Sequence, residues 1–111
     1  MLVELTKQLL DWNEQVHQVF VRETKDADFK EEIQPFVEQV DRVLEEWRRA
    51  AESWVKKEHP KHIHLLQIEQ VCENVRVNAV ECFGTAKPKR FKERYKSVEY
   101  VLRNILMNRN M

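Results

Sequence analysis

Apolar residues recur at steps of three and four in four stretches of this 111-residue chain, with polar punctuation between them. That period predicts amphipathic helices. The first stripe is Leu2, Leu5, Leu9, Trp12, Val16 and Val19 or Phe20, fading near Glu23. The second opens at Asp28, a good N-cap with Glu31 three residues on as in a capping box. Its stripe is Phe29, Ile33, Phe36, Val40, Val43 or Leu44, Trp47, Ala50 or Ala51, and Trp54. Pro35 falls inside this stretch and either kinks the helix or begins it, leaving residues 29–33 as a separate turn. Pro60 ends it, because the residue before proline disfavours α geometry. The third stripe is Leu65, Ile68, Cys72, Val75, Ala79 and Cys82, starting at His64 or Leu65, with Gly84 placed as a C′ residue beyond Phe83. After Pro88 the fourth uses Phe91, Tyr95, Val98, Val101 or Leu102, and Ile105, and runs out near Met107. The predicted helices are about 2–23, 29–58, 64–83 and 89–107.

Three short connections between four long helices imply antiparallel neighbours. The expected fold class is all-α, a four-helix up-and-down antiparallel bundle, with residues 1–111 as one domain and no internal repeat. One end of that bundle collects Asp26, Asp28, Glu31 and Glu32 with Lys87, Lys89, Arg90 and Lys92. The other collects Lys56, Lys57, His59, Lys61, His62 and His64 with both termini.

Apolar residues make up 42% and charged residues 34%, a globular rather than a disordered balance. The 19 acids and 19 bases cancel, but unevenly: residues 1–54 hold 13 acids and 7 bases, residues 55–111 hold 6 and 12. A dedicated nucleic-acid binder carries a net basic domain, so acidic and basic helices facing each other, in one bundle or across a dimer, are the plainer expectation. Glu4 and Asp11 interrupt any secretory h-region, and no uncharged run reaches the ~18 residues of a membrane span. A cytoplasmic protein is therefore expected. Cys72 and Cys82 lie ten residues apart on one helix, roughly 15 Å of rise, too far to bridge each other. Both read as small buried apolar residues.

Candidate chemistry is thin. The cluster His59-Pro60-Lys61-His62-Ile63-His64 has imidazoles that suit zinc, copper or nickel, but neither cysteine stands beside it, and a solvated loop with His64 capping the third helix is the simpler expectation. Glu14-Gln15-Val16-His17 matches the Glu-x-x-His element of di-iron bundles, which need that element twice and two further inward glutamates; here it occurs once. Residues 87–96 hold six bases and one acid interleaved with Phe91 and Tyr95. Such a run suits phosphate backbones and stacked bases, yet both aromatics continue the core stripe and are expected inward, with the acidic start of the second helix neutralising part of the run. Trp12, Trp47 and Trp54 fall on stripes and read as core. Tyr100 lies about 200° round its helix from Val98 and is expected outside the seam. With one glycine and no Gly-x-Ser-x-Gly, a phosphate cradle or nucleophile elbow has no material. No metal site, cofactor site or catalytic residue is assigned.

The chain resembles the YppE-like family, small uncharacterised proteins of Gram-positive bacilli. The resemblance rests on Asp28-Phe29, Ile33-Gln34-Pro35 with Val37-Glu38, Asp41 and Trp47, and Pro60-Lys61 with His64. It continues in Gln67-Ile68-Glu69 with Val71 and Asn74, in Arg90-Phe91-Lys92, and in Ser97-Val98 with Tyr100 and Leu102. The matched residues span 28–102. Pro35, Pro60-Lys61 and Arg90-Phe91-Lys92 are not demanded by a generic helical pattern, while His59 and His62 depart from the family's. The resemblance implies an up-and-down four-helix bundle in a bacterial cytoplasm and brings no activity, substrate or cofactor. It draws attention to Lys61, His64, Arg90 and Lys92. With Lys89 and Tyr100 these form the candidate interaction surface of a non-enzymatic helical module. Its expected partner is another protein or a second copy of the chain. Weak polyanion binding through residues 87–96 is the alternative, and a metal-dependent bundle enzyme the more distant one.

Overall fold

The computed structural model describes residues 1–22, 32–84 and 87–109. Four helices follow in order: α1 (Leu2–Phe20), α2 (Gln34–Glu58), α3 (Leu65–Glu81) and α4 (Pro88–Arg109). They form a four-helix bundle. Side-chain pairs fix its directions. Thr6 meets Trp47 and Trp12 meets Phe36, so α1 and α2 are antiparallel. Asp41 meets Arg76 and Phe36 meets Phe83, so α2 and α3 are antiparallel. Asn13 meets Tyr95 and Phe20 meets Phe91, so α4 runs against α1. Each helix packs on its two neighbours in chain order, α4 closes on α1, and α1 touches α3 across the diagonal.

The helix ends follow from local chemistry. α1 stops at Phe20, three residues short of the expected end, as the Val21 and Arg22 amides turn back onto the His17 and Val19 carbonyls. Pro35 is the second residue of α2 and begins that helix instead of kinking it. In a first turn the missing proline amide has no partner to lose. Ile33 ahead of it is already helical (φ −71°, ψ −53°), and Glu32 and Ile33 form a wider π turn. Asp28, Phe29 and Glu31, the expected cap and start, lie outside the described residues. α2 ends at His59 in the left-handed region (φ 45°), with Pro60 barring continuation. Gly84 does not take up the left-handed C′ conformation; no glycine φ is positive. Instead Cys82 closes α3 and the last turn tightens, with the Gly84 amide on the Glu81 carbonyl at 3.0 Å.

One core runs the length of the bundle. Leu2, Leu5, Leu9, Val16 and Phe20 come from α1, Val40, Leu44, Trp47, Ala51 and Val55 from α2, Ile68, Cys72, Val75 and Ala79 from α3, and Phe91, Val98, Leu102 and Ile105 from α4. Trp47 is fully buried, whereas Trp12 and Trp54 are half-buried at its edge. Leu65 is 40% exposed, against the expected stripe; Ile63, in the preceding connection, fills that space at 1%. The helix begins one residue after His64, which turns Leu65 out and leaves Ile63 pointing in. Three polar residues, Thr6, Asn13 and Asn78, are buried within the stripes.

Candidate interaction surface

The basic run at the start of α4 is positioned by the contacts on its inner side. Lys87 supplies the first helical carbonyl, 3.1 Å from the Phe91 amide, and Pro88 opens the helix. Phe91 is fully buried and stacks on Phe20 with centroids 3.9 Å apart. Two buried asparagines then grip consecutive turns of α4. Asn78 of α3 donates its amide to the Phe91 carbonyl (3.3 Å), and Asn13 of α1 donates to the Tyr95 carbonyl (3.2 Å). Arg94 turns back from the run, donating to Asn78 Oδ1 at 2.6 Å and pairing with Glu81.

Tyr95 is half-buried, not core: its ring leans on His17 (4.5 Å) and its hydroxyl donates to the Glu14 carboxylate. That hydrogen bond holds the Glu14 carboxyl below its ordinary range and, with burial, pushes the Tyr95 hydroxyl up to about 12. Glu14 and His17 therefore face α4 at the bundle's edge, not its interior. Among the described residues no three His, Cys, Asp or Glu side chains are grouped so as to hold a metal ion.

These contacts fix the rotation of α4, and its opposite face follows. Lys89, Lys92, Lys96, Tyr100, Arg103 and Met107 recur at steps of three and four on the outward side, all exposed, with Tyr100 and Met107 at 65%. Arg90 is exposed beside this stripe. Arg103 pairs within the helix with Glu99 at 3.7 Å. Among the described residues Lys87, Lys89, Arg90, Lys92 and Lys96 form no ion pair. Of the acids expected to neutralise part of this run, Glu32 pairs with Arg22 at 3.6 Å, and Asp26, Asp28 and Glu31 lie outside the described residues. The basic excess of the second half is concentrated in α4. It holds seven basic residues against Glu93 and Glu99, while α1, α2 and α3 each hold more acids than bases.

Of the six sequence candidates, Lys89, Lys92 and Tyr100 share this face and Arg90 flanks it. Lys61 stands at its far end, where Lys61, His62, Asn104, Met107 and Asn108 line a depression of about 320 Å³. His64 is not brought to the face. It caps α3, its backbone amide donating to Gln67 Oε1 at 2.7 Å. Asn13, Asn78 and Arg94, which set the face, were not read from the sequence. The available signal was a polar residue at a core register, Asn13 midway between Leu9 and Val16 and Asn78 three residues after Val75.

Fold and surface together define a small up-and-down helical bundle with one strongly basic helix. The chain belongs to the family described as a bacterial domain of unknown function (DUF1798), whose model matches residues 4–108. It is 31% identical over 105 residues to the uncharacterised protein YppE of Bacillus subtilis, covering 91% of this chain and 85% of that protein. The crystal structure of YppE superposes with a TM-score of 0.90 at 29% identity, covering 96% of this chain and 90% of that one. A protein of unknown function from Listeria innocua superposes equally well, with a TM-score of 0.90 at 33% identity, covering 94% and 86%. No specific activity attaches to any of these relatives.

Proposed function

We propose that the protein is a non-enzymatic helical interaction module, cytoplasmic, that docks the acidic surface of a different protein on the outer face of α4. The observation that carries this reading is the concentration of exposed cations on that one face, of which Lys89, Arg90, Lys92 and Lys96 form no ion pair among the described residues. Charges in a solvated face that complement a partner steer association and select it more than they set its affinity. Tyr100, exposed among Lys96 and Arg103, supplies the aromatic anchor such contacts favour. A second copy is a poor occupant: a two-fold contact would set α4 against α4, like charge on like, and a contact with another copy's acidic helix would not close. A nucleic acid fits less well, because the chain has no net charge and the aromatics of residues 87–96 are turned inward or tied to Glu14. The cytoplasmic assignment draws on the buried thiol of Cys72, pushed to about 11 by burial. Among the described residues no helix is long and apolar enough to cross a membrane.

The test is affinity capture from nuclease-treated native cytosol, comparing wild type with the triple variant Lys89→Glu, Arg90→Glu, Lys92→Glu and with Tyr100→Ala. One acidic protein recovered by the wild type and lost with the triple variant, at unchanged circular dichroism, is the expected result. Equal recovery by all three overturns the reading. Material captured only from a parallel untreated cytosol, and lost on nuclease treatment, transfers the face to polyanion binding.

A further inference from the structure

The outward faces of the helices differ in one respect. On α1 the outward positions are Glu4, Lys7, Asp11, Glu14 and Gln18; on α2 they are Glu38, Arg42, Glu46, Arg49 and Ser53. On α3 the same register holds Leu66, Gln70, Glu73, Val77 and Val80, with Leu66 62% and Val80 55% exposed. Solvated helices carry polar residues there; Gln70 and Glu73 at the middle of the α3 face keep to that rule, while exposed Leu66 and Val80 toward its two ends, with half-buried Val77 beside Val80, break it. Two shallow depressions meet at Val80. One, of about 350 Å³, is lined by Arg76, Val77, Val80 and Glu81; the other, of about 190 Å³, by Ile33, Gln34, Val37, Glu38 and Val80. A protruding leucine thus stands at one end of the face, and a hollow floored by Val77 and Val80 and flanked by Arg76 and Glu81 at the other.

We infer that this face pairs with a second copy of the chain, α3 against α3 antiparallel about a two-fold axis through Glu73. In that register Leu66 of each copy lies opposite Val80 of its partner, seven residues to either side of the axis, and fills the hollow beside Val77. The charges agree. Arg76 sits on the edge of α3 that faces α2, 3.5 Å from Asp41, and Glu69 lies two turns before it on the same edge. A two-fold antiparallel contact keeps that edge on one side. Each Arg76 then comes within about one residue's rise, ~1.5 Å of height, of the partner copy's Glu69. The one unfavourable element is Glu73 against Glu73 on the axis. A 17-residue helix is about 25 Å long, so such a contact falls near the ~1,000 Å² lower limit of specific interfaces, and the dimer is weak. It uses neither α4 nor its cations.

The experiment combines sedimentation velocity from about 10 µM to about 1 mM, bracketing a weak interface, with cysteine cross-linking. Wild type shifts from monomer to dimer as concentration rises. Leu66→Glu and Val80→Glu weaken the dimer by about tenfold or more, while Glu73→Leu, which removes the charge pair on the axis, tightens it. Under mild oxidation Glu73→Cys cross-links to itself and Ser53→Cys on α2 does not; Cys72 and Cys82, 3% and 0% exposed, do not interfere. The α4 triple variant still dimerises, which separates this result from the failure of the acidic-partner reading. Wild type that remains a monomer throughout, or cross-linking as efficient at Ser53→Cys as at Glu73→Cys, overturns the inference.

Discussion

α2 and α4 lie on opposite corners of the bundle and are seated by different physics. α2 buries Val40, Leu44, Trp47, Ala51 and Val55, and its buried polar contact is the Trp47 indole donating to Thr6 Oγ1 at 3.0 Å. Its other polar links among the described residues lie at the surface and include Asp41 and Glu45 with Arg76, Arg48 with Glu45 and Glu52, Arg49 with Glu45, and Gln34 with Glu38. α4 also buries an apolar stripe, but its backbone is gripped from both sides by Asn13 and Asn78, and Arg94 and Tyr95 tie its flanks to α3 and α1. Apolar contact is non-directional and tolerates small rotations. A hydrogen bond to a helix carbonyl does not. The difference teaches that α4 is the helix whose rotation is specified, and its rotation decides which side chains it shows to solvent.

Breaking the apolar side of the comparison has the largest effect. Trp47→Ala removes the largest fully buried side chain and orphans the Thr6 hydroxyl, and is expected to cost about 3–5 kcal/mol in denaturant unfolding. The loss is global, because that side chain belongs to the single core to which all four helices contribute. Asn78→Ala comes next, at about 1–3 kcal/mol, since it removes the donor to the Phe91 carbonyl and the acceptor of Arg94 together. Its signature is local. Amide exchange should accelerate in the first turns of α4 beyond the global change, while α2 amides follow the global change alone. Equal acceleration in both helices would remove the claim that α4 is seated differently.

The same contrast explains what was legible in the sequence. The apolar period located four helices and nearly every core residue, because burial of a stripe depends only on spacing. It erred where one residue of phase decides: Trp12 was placed on the stripe and Asn13 left off, yet Asn13 is 3% exposed and Trp12 only half-buried. Leu65, expected on the stripe, is 40% exposed, and Ile63, outside the expected stripe, is buried at 1%. Charge along the chain separated two halves but not one helix, since Glu69, Glu73 and Glu81 of α3 and the bases of α4 were summed together. The outward placement of Tyr100 was legible, as it follows from angle alone. The inward turn of Arg94 was not, because nothing in a run of bases marks the one member that will find Asn78 and Glu81 across the seam.

The smallest expected effect sharpens the comparison through pH. Tyr95→Phe keeps the ring against His17 and removes only the hydroxyl that serves Glu14. Glu14 is half-exposed, so the cost is about 0.5–1 kcal/mol at neutral pH. The folded Glu14 carboxyl titrates below its unfolded value. Its contribution is therefore present above the ordinary carboxylate range and is lost as pH falls through the lowered value. The folded Tyr95 hydroxyl titrates above its unfolded value. Its contribution is complete below about 10 and is lost as pH rises toward about 12. Both shifts record one hydrogen bond seen from its two ends, and so count once. The stability difference between wild type and Tyr95→Phe should form a plateau across neutral pH and close at both extremes. An NMR titration of the Glu14 carboxyl in the variant should move up toward the ordinary range, the Gln18 amide still donating to it at 3.1 Å. A difference that is flat from acid to alkali would mean that the Tyr95 hydroxyl acts through packing, and that α4 is tied to α1 by the Asn13 amide and not by this edge contact.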